Sequence, residues 1–225
     1  MFFTNKTRNT VIKNSVCFLH VLWISVLQSP IHAQETDFTT WTNVGFEYKM
    51  MPAFTLNGGL DWRTKNNLEM TDRWGVKIGG TYKAVSFLKI ETGYEMHYRN
   101  QGDDGWKLRH RYHLGNTLST RMKRLKLSLR ERFQYTFDGS SDKFSLRSRV
   151  KLAYDIPKWE LEPYTSVEMN NSLNSGKHFD VRFMRYRGGI TLPVLSCWKM
   201  DLFYCHQSEQ DKRKNIVGFE CTYCF

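Results

Sequence analysis

The sequence predicts an all-β chain folded as a single antiparallel transmembrane β-barrel of 10–12 strands, with twelve preferred. Three observations carry this. From Trp41 onward, apolar residues recur at every second position, the period of a strand and not of a helix. The alternating segments run to ten or more residues, whereas strands of water-soluble sheets have a mode of about 5–6 and membrane-spanning strands need about 9–11. Aromatic residues collect towards segment ends, at Trp62, Trp74, Tyr82, Tyr98, Trp106, Tyr135, Phe137, Tyr154, Trp198, Tyr223 and Phe225, as interfacial girdles do.

Composition agrees. The 225 residues include 33 Lys/Arg and 22 Asp/Glu, a formal net charge of +11, with 40% hydrophobic and 15% aromatic residues and only 5 Pro. A disordered or collagen-like chain is excluded by the aromatic content. No stretch approaches the roughly 20 apolar residues of a membrane helix, which excludes a helical membrane protein.

Residues 1–33 read as a secretory signal peptide, leaving 34–225 as the barrel. Lys6, Arg8 and Lys13 precede a mostly apolar run from Val16 to Leu27; Pro30 ends it, and Ala33 supplies a small residue at the cleavage site. The run is too short to span a membrane. Cys17 falls inside it, and Gln34, not a Cys, stands directly after the cleavage site, so a lipid anchor there is not expected. Cleavage leaves 192 residues and a net charge of +8. Export and barrel together imply a Gram-negative outer membrane.

The segments, in order, are 41–50, 54–65, 68–83, 85–99, 106–121, 125–137, 144–155, 160–171, 179–192, 198–208 and 214–225. The first opens on Trp41. In the second, Phe54, Leu56, Gly58, Leu60 and Trp62 alternate with Thr55, Asn57, Gly59, Asp61 and Arg63. In the fourth, Leu88, Ile90, Thr92, Tyr94, Met96 and Tyr98 alternate with Lys89, Glu91, Gly93, Glu95, His97 and Arg99. In the seventh, Phe144, Leu146, Ser148, Val150, Leu152 and Tyr154 alternate with Ser145, Arg147, Arg149, Lys151 and Ala153. Each segment thus has an apolar face for lipid and a charged face for the lumen. Eleven segments conflict with the even count of bacterial barrels. Either Gln34–Thr40 adds a short first strand, giving twelve, or 41–50 lies outside the wall, giving ten.

Connections alternate in length. Short ones contain Met51-Pro52, Lys83-Ala84, Met122-Lys123, Ile156-Pro157 and Pro193-Val194; longer ones span Asn100–Gly105, Asp138–Asp142, Ser172–His178 and Glu209–Arg213. Short turns face the periplasm in such barrels, which would end the chain there at Phe225.

The last stretch, Val217, Phe219, Cys221, Tyr223 and Phe225, alternates apolar residues and stops on Phe. It resembles the C-terminal signal read by the barrel-assembly machinery, with Tyr223 and Phe225 as its carriers; the usual Gly is displaced to Gly218. The mature chain also resembles the uncharacterised outer-membrane family catalogued as domain of unknown function 2490. The carrying features are Trp41, Trp62-Arg63, Gly93-Tyr94, Arg130-Glu131-Arg132, Arg147-Ser148-Arg149, Pro163 with Glu168, Arg185-Tyr186-Arg187-Gly188-Gly189 and the terminal Phe. The resemblance implies a monomeric outer-membrane barrel in contact with lipid, and no assigned activity.

Strand phase puts about twenty Lys/Arg and about ten Asp/Glu on the charged face. The basic set includes Arg63, Arg73, Lys77, Arg99, Arg109 and Arg111, then Arg130, Arg132, Arg147, Arg149, Arg185 and Arg187. The acidic set includes Glu91, Glu95, Glu162, Glu168, Asp201 and Glu220. A barrel of this size is nearly filled by its own side chains. The lumen is therefore either a salt-bridge network that closes it or a path or site for small anions, which Arg forks and surplus positive charge favour. Charge spread through period-two strands behind a signal peptide does not fit nucleic-acid binding.

Cys221 and Cys224 have C-x-x-C spacing, but three residues apart on a strand they face opposite ways, so no metal site is expected. Cys197 and Cys224 share the charged phase and are the candidate disulfide. No cofactor or catalytic residue is assigned. His206 and Ser208 share a face and are the only hint of a lipid-directed hydrolase, yet no acid on that face could orient the His. His97 and His113 face the lumen as members of the charge network. The functional expectation is a non-enzymatic envelope component, or a narrow anion-favouring passage with a charged, largely closed lumen. The alternatives are the hydrolase and a soluble periplasmic ligand-binding barrel.

Overall fold

The computed structural model describes residues 36–139, 141–157, 159–174, 176, 180–194, 197–210 and 212–225. The expected signal peptide, with Cys17, lies outside the described residues. The described residues form eleven strands: β1 (Thr36–Met51), β2 (Phe54–Lys65), β3 (Met70–Val85), β4 (Leu88–Asn100), β5 (Trp106–Met122), β6 (Leu125–Phe137), β7 (Asp142–Tyr154), β8 (Glu162–Ser172), β9 (Val181–Val194), β10 (Trp198–Glu209) and β11 (Arg213–Cys224). Each pairs with the next in sequence order, and the ring closes between β1 and β11.

The preference for twelve strands is corrected to eleven, and the fully antiparallel wall to one with a parallel seam. Thr36–Thr40 carries no turn residue and runs on into 41–50 as one sixteen-residue strand. That strand lies parallel to β11 from Thr36↔Arg213 to Glu47↔Cys224. An even count is required only when every neighbour is antiparallel. A parallel pair needs a long crossover between its members, and here the nine intervening strands supply it.

The odd count puts the two termini of the described barrel at opposite ends. At the Phe225 end lie the tight turns Pro52–Ala53, Ser86–Phe87 and Lys123–Arg124, together with a longer connection over 155–161. At the Thr36 end lie Asn66–Glu69, the 3-10 turn Gly102–Asp104, and the connections at 138–141, 173–180 and 210–212. The start of β1 is pinned there. The Phe38 N–H donates to Asn67 Oδ1 at 2.9 Å, and the Asn67 N–H donates to Asp37 Oδ1 at 2.8 Å. Asn66 and Asn67 adopt positive φ in that turn, which Asn tolerates better than most residues.

Period two fixes the faces. The outer wall carries Leu60, Ile78, Leu114, Leu127, Val150, Val167, Ile190 and Leu202, all exposed. Aromatic ladders band it near both ends. Trp62–Trp74 (5.9 Å between centroids), Tyr98–Trp106 (5.1 Å) and Tyr135–Phe144 (4.9 Å) lie towards the Thr36 end. Trp198–Tyr223 (5.0 Å) and Tyr223–Phe225 (4.5 Å) lie at the other.

The inner wall is not uniformly polar. Ala153, Tyr164, Phe203, Cys205 and Ile216 form a buried cluster inside the barrel, with Trp41 packed against it. Gly218, opposite Trp41 across the seam and Phe203 across the β10/β11 ladder, leaves the space that the Phe203 ring fills.

Candidate functional site

The inner faces of all eleven strands contribute to a cavity of about 600 Å³. Sixteen Lys/Arg side chains line it against seven Asp/Glu. This basic interior is the candidate functional site, and its charges are arranged as four groups.

The first centres on Glu168, 5% exposed. Arg130 reaches its Oε2 at 3.1 Å, crossing over β7 from β6. Arg185 reaches Oε1 at 3.0 Å from β9, and Arg147 bonds the same oxygen. One carboxylate therefore holds guanidiniums from three strands. Arg185 also donates through Nε to Gln207 Oε1 at 2.6 Å, and its guanidinium carbon stands 4.1 Å from the Phe183 ring centroid.

The second group joins Arg132 to Glu91, with Nη2 to Oε1 at 2.7 Å. Arg132 reaches across β5 from β6 to β4. This is possible because Gly115 stands between them; a Cβ there would approach the Arg132 Cα to 3.2 Å.

The third group centres on Glu95 of β4. It accepts from Arg111 at 3.1 Å and contacts His97 Nε2 at 2.9 Å, with His113 Nδ1 at 3.7 Å. The two His are members of this ion group. Among the described residues no cluster of His, Cys, Asp and Glu suits a metal ion.

The fourth group joins Arg63 and Arg73, directly opposed in the β2/β3 ladder, through Asp61 at 3.2 and 2.8 Å. Towards the Thr36 end, Arg109 bonds Asp138 at 3.1 Å and Arg99 bonds Asp72 at 3.2 Å. Arg187 makes a long 3.6 Å contact with the part-exposed Glu220 and lies over the Phe203 ring at 3.9 Å. Lys77 donates to Asn43 Oδ1 at 2.8 Å. Arg149 stands directly opposite Glu168 in the β7/β8 register, yet it makes no ion pair among the described residues.

Sequence reasoning placed these Arg and Glu residues on one face but missed several members of the interior. Trp41, Tyr164, Phe183 and Phe203 are inner-wall aromatics, and Asp201 turns out to accept from the Tyr164 hydroxyl at 2.7 Å. A signal was present: Leu202-Phe203-Tyr204-Cys205 and Ile216-Val217 are apolar in both phases, so their inner members cannot be paired with charge. Asp61 and Asp138, which hold three of the arginines, were not singled out.

Cys197 and Cys224 oppose each other at the open end of the last hairpin, and the Cys224 N–H donates to Cys197 O at 2.7 Å. Among the described residues no disulfide joins them, nor Cys205 and Cys221. On the outer wall, His206 Nδ1 lies 2.9 Å from Asn215 Oδ1, an orienting partner that a search for acids does not find. His206 and Ser208 are not hydrogen-bonded to each other. Tyr223 and Phe225 face outward at the Phe225 end, where the Phe225 N–H donates to Glu47 O at 2.9 Å and prolongs the seam.

No curated protein matches this chain. A family model described as "Protein of unknown function (DUF2490)" matches residues 38–217, most of the barrel from the start of β1 into β11, and the chain belongs to that family.

Proposed function

We propose that this protein is a monomeric outer-membrane barrel without catalytic activity, an envelope component whose narrow, largely closed interior favours small anions. One observation carries the reading: the wall is inside out relative to a water-soluble barrel. Exposed Leu, Ile and Val cover the outside, and sixteen basic side chains face a small interior. A closed barrel satisfies every strand edge, which lipid demands, and apolar surface on this scale is a poor design for water. The aromatic bands fit headgroup depth on either side. The surplus of positive charge in a narrow, poorly solvated tube sets the sign of any permeant ion. Tyr223 and Phe225 remain the proposed contact for the assembly machinery.

The hydrolase alternative has one supporting contact, His206 to Asn215. It lacks the nucleophile–base bond that acyl transfer requires.

The reading is tested by reconstitution. Protein processed after Ala33 should float with outer membranes, change mobility on unboiled gels, and conduct weakly with chloride favoured over potassium. Replacing Arg109, Arg130 and Arg147 with Glu should abolish or reverse that preference. Recovery in the soluble periplasm, or a cation-selective wild type, would overturn the proposal.

A further inference from the structure

We infer that Arg130, Arg147 and Arg149 form a binding site for a compact oxyanion of the phosphate class on the inner wall; the site lies on the proposed passage and rests on that reading.

The argument starts from register. In the β6/β7 ladder Arg130 opposes Arg149 and Arg132 opposes Arg147, all four pointing inward. Directly opposed residues hold their Cβ atoms about 4.5–5.5 Å apart, and like charges so placed repel. The wall offers two carboxylates to this block, Glu168 and Glu91. Glu168 is already shared among Arg130, Arg147 and Arg185, and Glu91 is taken by Arg132. Five guanidiniums face two carboxylates, a local excess of three charges.

The unused donors lie together. Arg149 makes no ion pair among the described residues although it stands opposite Glu168. The Nε atoms of Arg130 and Arg147 are buried with no hydrogen-bond partner among the described residues. Buried donors are rarely left so in a folded protein. The three arginines border the same cavity. An acceptor placed among them must satisfy an N–H from each residue and carry more than one negative charge. Phosphate does both: its oxygens match guanidinium forks, and its charge offsets most of the local excess. Chloride has one charge and no fork geometry.

The source is a diffusible solute, inorganic phosphate or a small phosphomonoester. The block lies near the middle of β6 and β7 and faces inward, whereas a lipid headgroup reaches only the outer wall and its rims.

The test uses the full barrel in detergent micelles, titrated with inorganic phosphate against chloride at equal ionic strength and followed by calorimetry and thermal stability. Wild type should bind phosphate saturably, and chloride should give no saturable signal. Arg149→Gln should weaken phosphate binding by about 10-fold or more, since a hydrogen bond to a charged group is worth about 1.5–3 kcal/mol. The unliganded melting temperature should change little, because Arg149 makes no ion pair among the described residues and its attraction to Glu168 across the ladder is offset by repulsion from the neighbouring arginines. Arg149→Lys keeps the charge without the fork, so it should lose affinity less and carries the test if the Gln variant fails to assemble. Equal phosphate affinity in wild type and folded Arg149 variants overturns the site. So does binding seen only with phosphate-headgroup lipid in mixed micelles. Chloride selectivity in bilayers without saturable phosphate binding overturns the site and leaves the passage standing; saturable binding without conductance does the reverse.

Discussion

The guanidinium carbon of Arg63 lies 3.7 Å from the ring centroid of Trp41, and from β9 the Arg185 guanidinium stands 4.8 Å from the same ring. Trp41 projects inward from the seam strand, with Gly218 opposite it on β11. An indole held between two cations lets an apolar ring sit within a charged interior, because the ring face is the electron-rich side. It also connects β2, β1 and β9 across the parallel joint between β1 and β11.

Trp41→Ala should therefore weaken the seam. Loss of a fully buried Trp typically costs about 3–5 kcal/mol; Trp41 is partly buried, so its loss should fall at or below the lower end, and part of it is cation–π attraction. Trp41→Phe keeps a ring and should lose markedly less. Equilibrium denaturation in micelles checks the order; equal stability of the Ala and Phe variants would show that the ring carries none of it.

Glu168→Gln should be among the most damaging single changes. It leaves the guanidiniums of Arg130, Arg147 and Arg185 buried without their shared charge, a class of change worth about 3–5 kcal/mol. Glu220→Gln breaks only a long contact whose carboxylate is 41% exposed, and exposed pairs contribute about 0–1 kcal/mol. Side-by-side unfolding curves test the contrast, and comparable losses would contradict it.

Much of this barrel was legible because the strand period is two and the side chains sort cleanly. Ile90, Leu127 and Val150 go out, whereas Arg130, Arg147 and Arg185 go in. What was not legible depends on tertiary closure. Whether Thr36–Thr40 turns or continues depends on where β1 meets β11, and no local residue encodes that. Nor does the alternation state which carboxylate takes which guanidinium: Arg130 passes over a whole strand to reach Glu168, while its register partner Arg149 forms no ion pair among the described residues. The inner aromatics were hidden by the rule that charge marks the inside, which fails at Phe203 and Ile216, where both phases are apolar.

The glycine near the C-terminus has a packing role that its sequence position obscured. A Cβ at Gly218 would overlap the Phe203 ring, whose other neighbours include the Arg187 guanidinium. Gly218→Ala should destabilise by about 1–3 kcal/mol through overpacking. Adding Phe203→Leu should recover part of that loss. A double-mutant cycle measures the coupling; strictly additive effects would mean the two sites do not share the space.

Cys197 and Cys224 occupy one register pair, and opposed strand positions lie about 5.5 Å apart at Cα when hydrogen-bonded, inside the range a disulfide spans. Mild oxidation of folded protein should therefore link these two in preference to Cys205 or Cys221, which face opposite sides of the wall. Mass spectrometry of digested, alkylated protein identifies the pair. A dominant link involving Cys221, on the outer face, would refute the inward facing of Cys197 and Cys224.

The parallel seam makes a topological claim that distinguishes eleven strands from twelve. With an odd count, the start of β1 shares an end with the Gly102–Asp104 turn, and Phe225 shares the other end with Pro52–Ala53. If the tight turns face the periplasm, as the proposed orientation requires, an epitope placed just before Thr36 should be reached by antibody on intact cells. So should one inserted at Gly102–Asp104, while one at Pro52–Ala53 should need permeabilised cells. Both chain ends of an even-stranded barrel lie on the same side, so a twelve-stranded wall would hide the Thr36 epitope while leaving that at Gly102–Asp104 accessible. That pattern would return Thr36–Thr40 to a separate strand and remove the parallel pairing of Thr36–Glu47 with Arg213–Cys224.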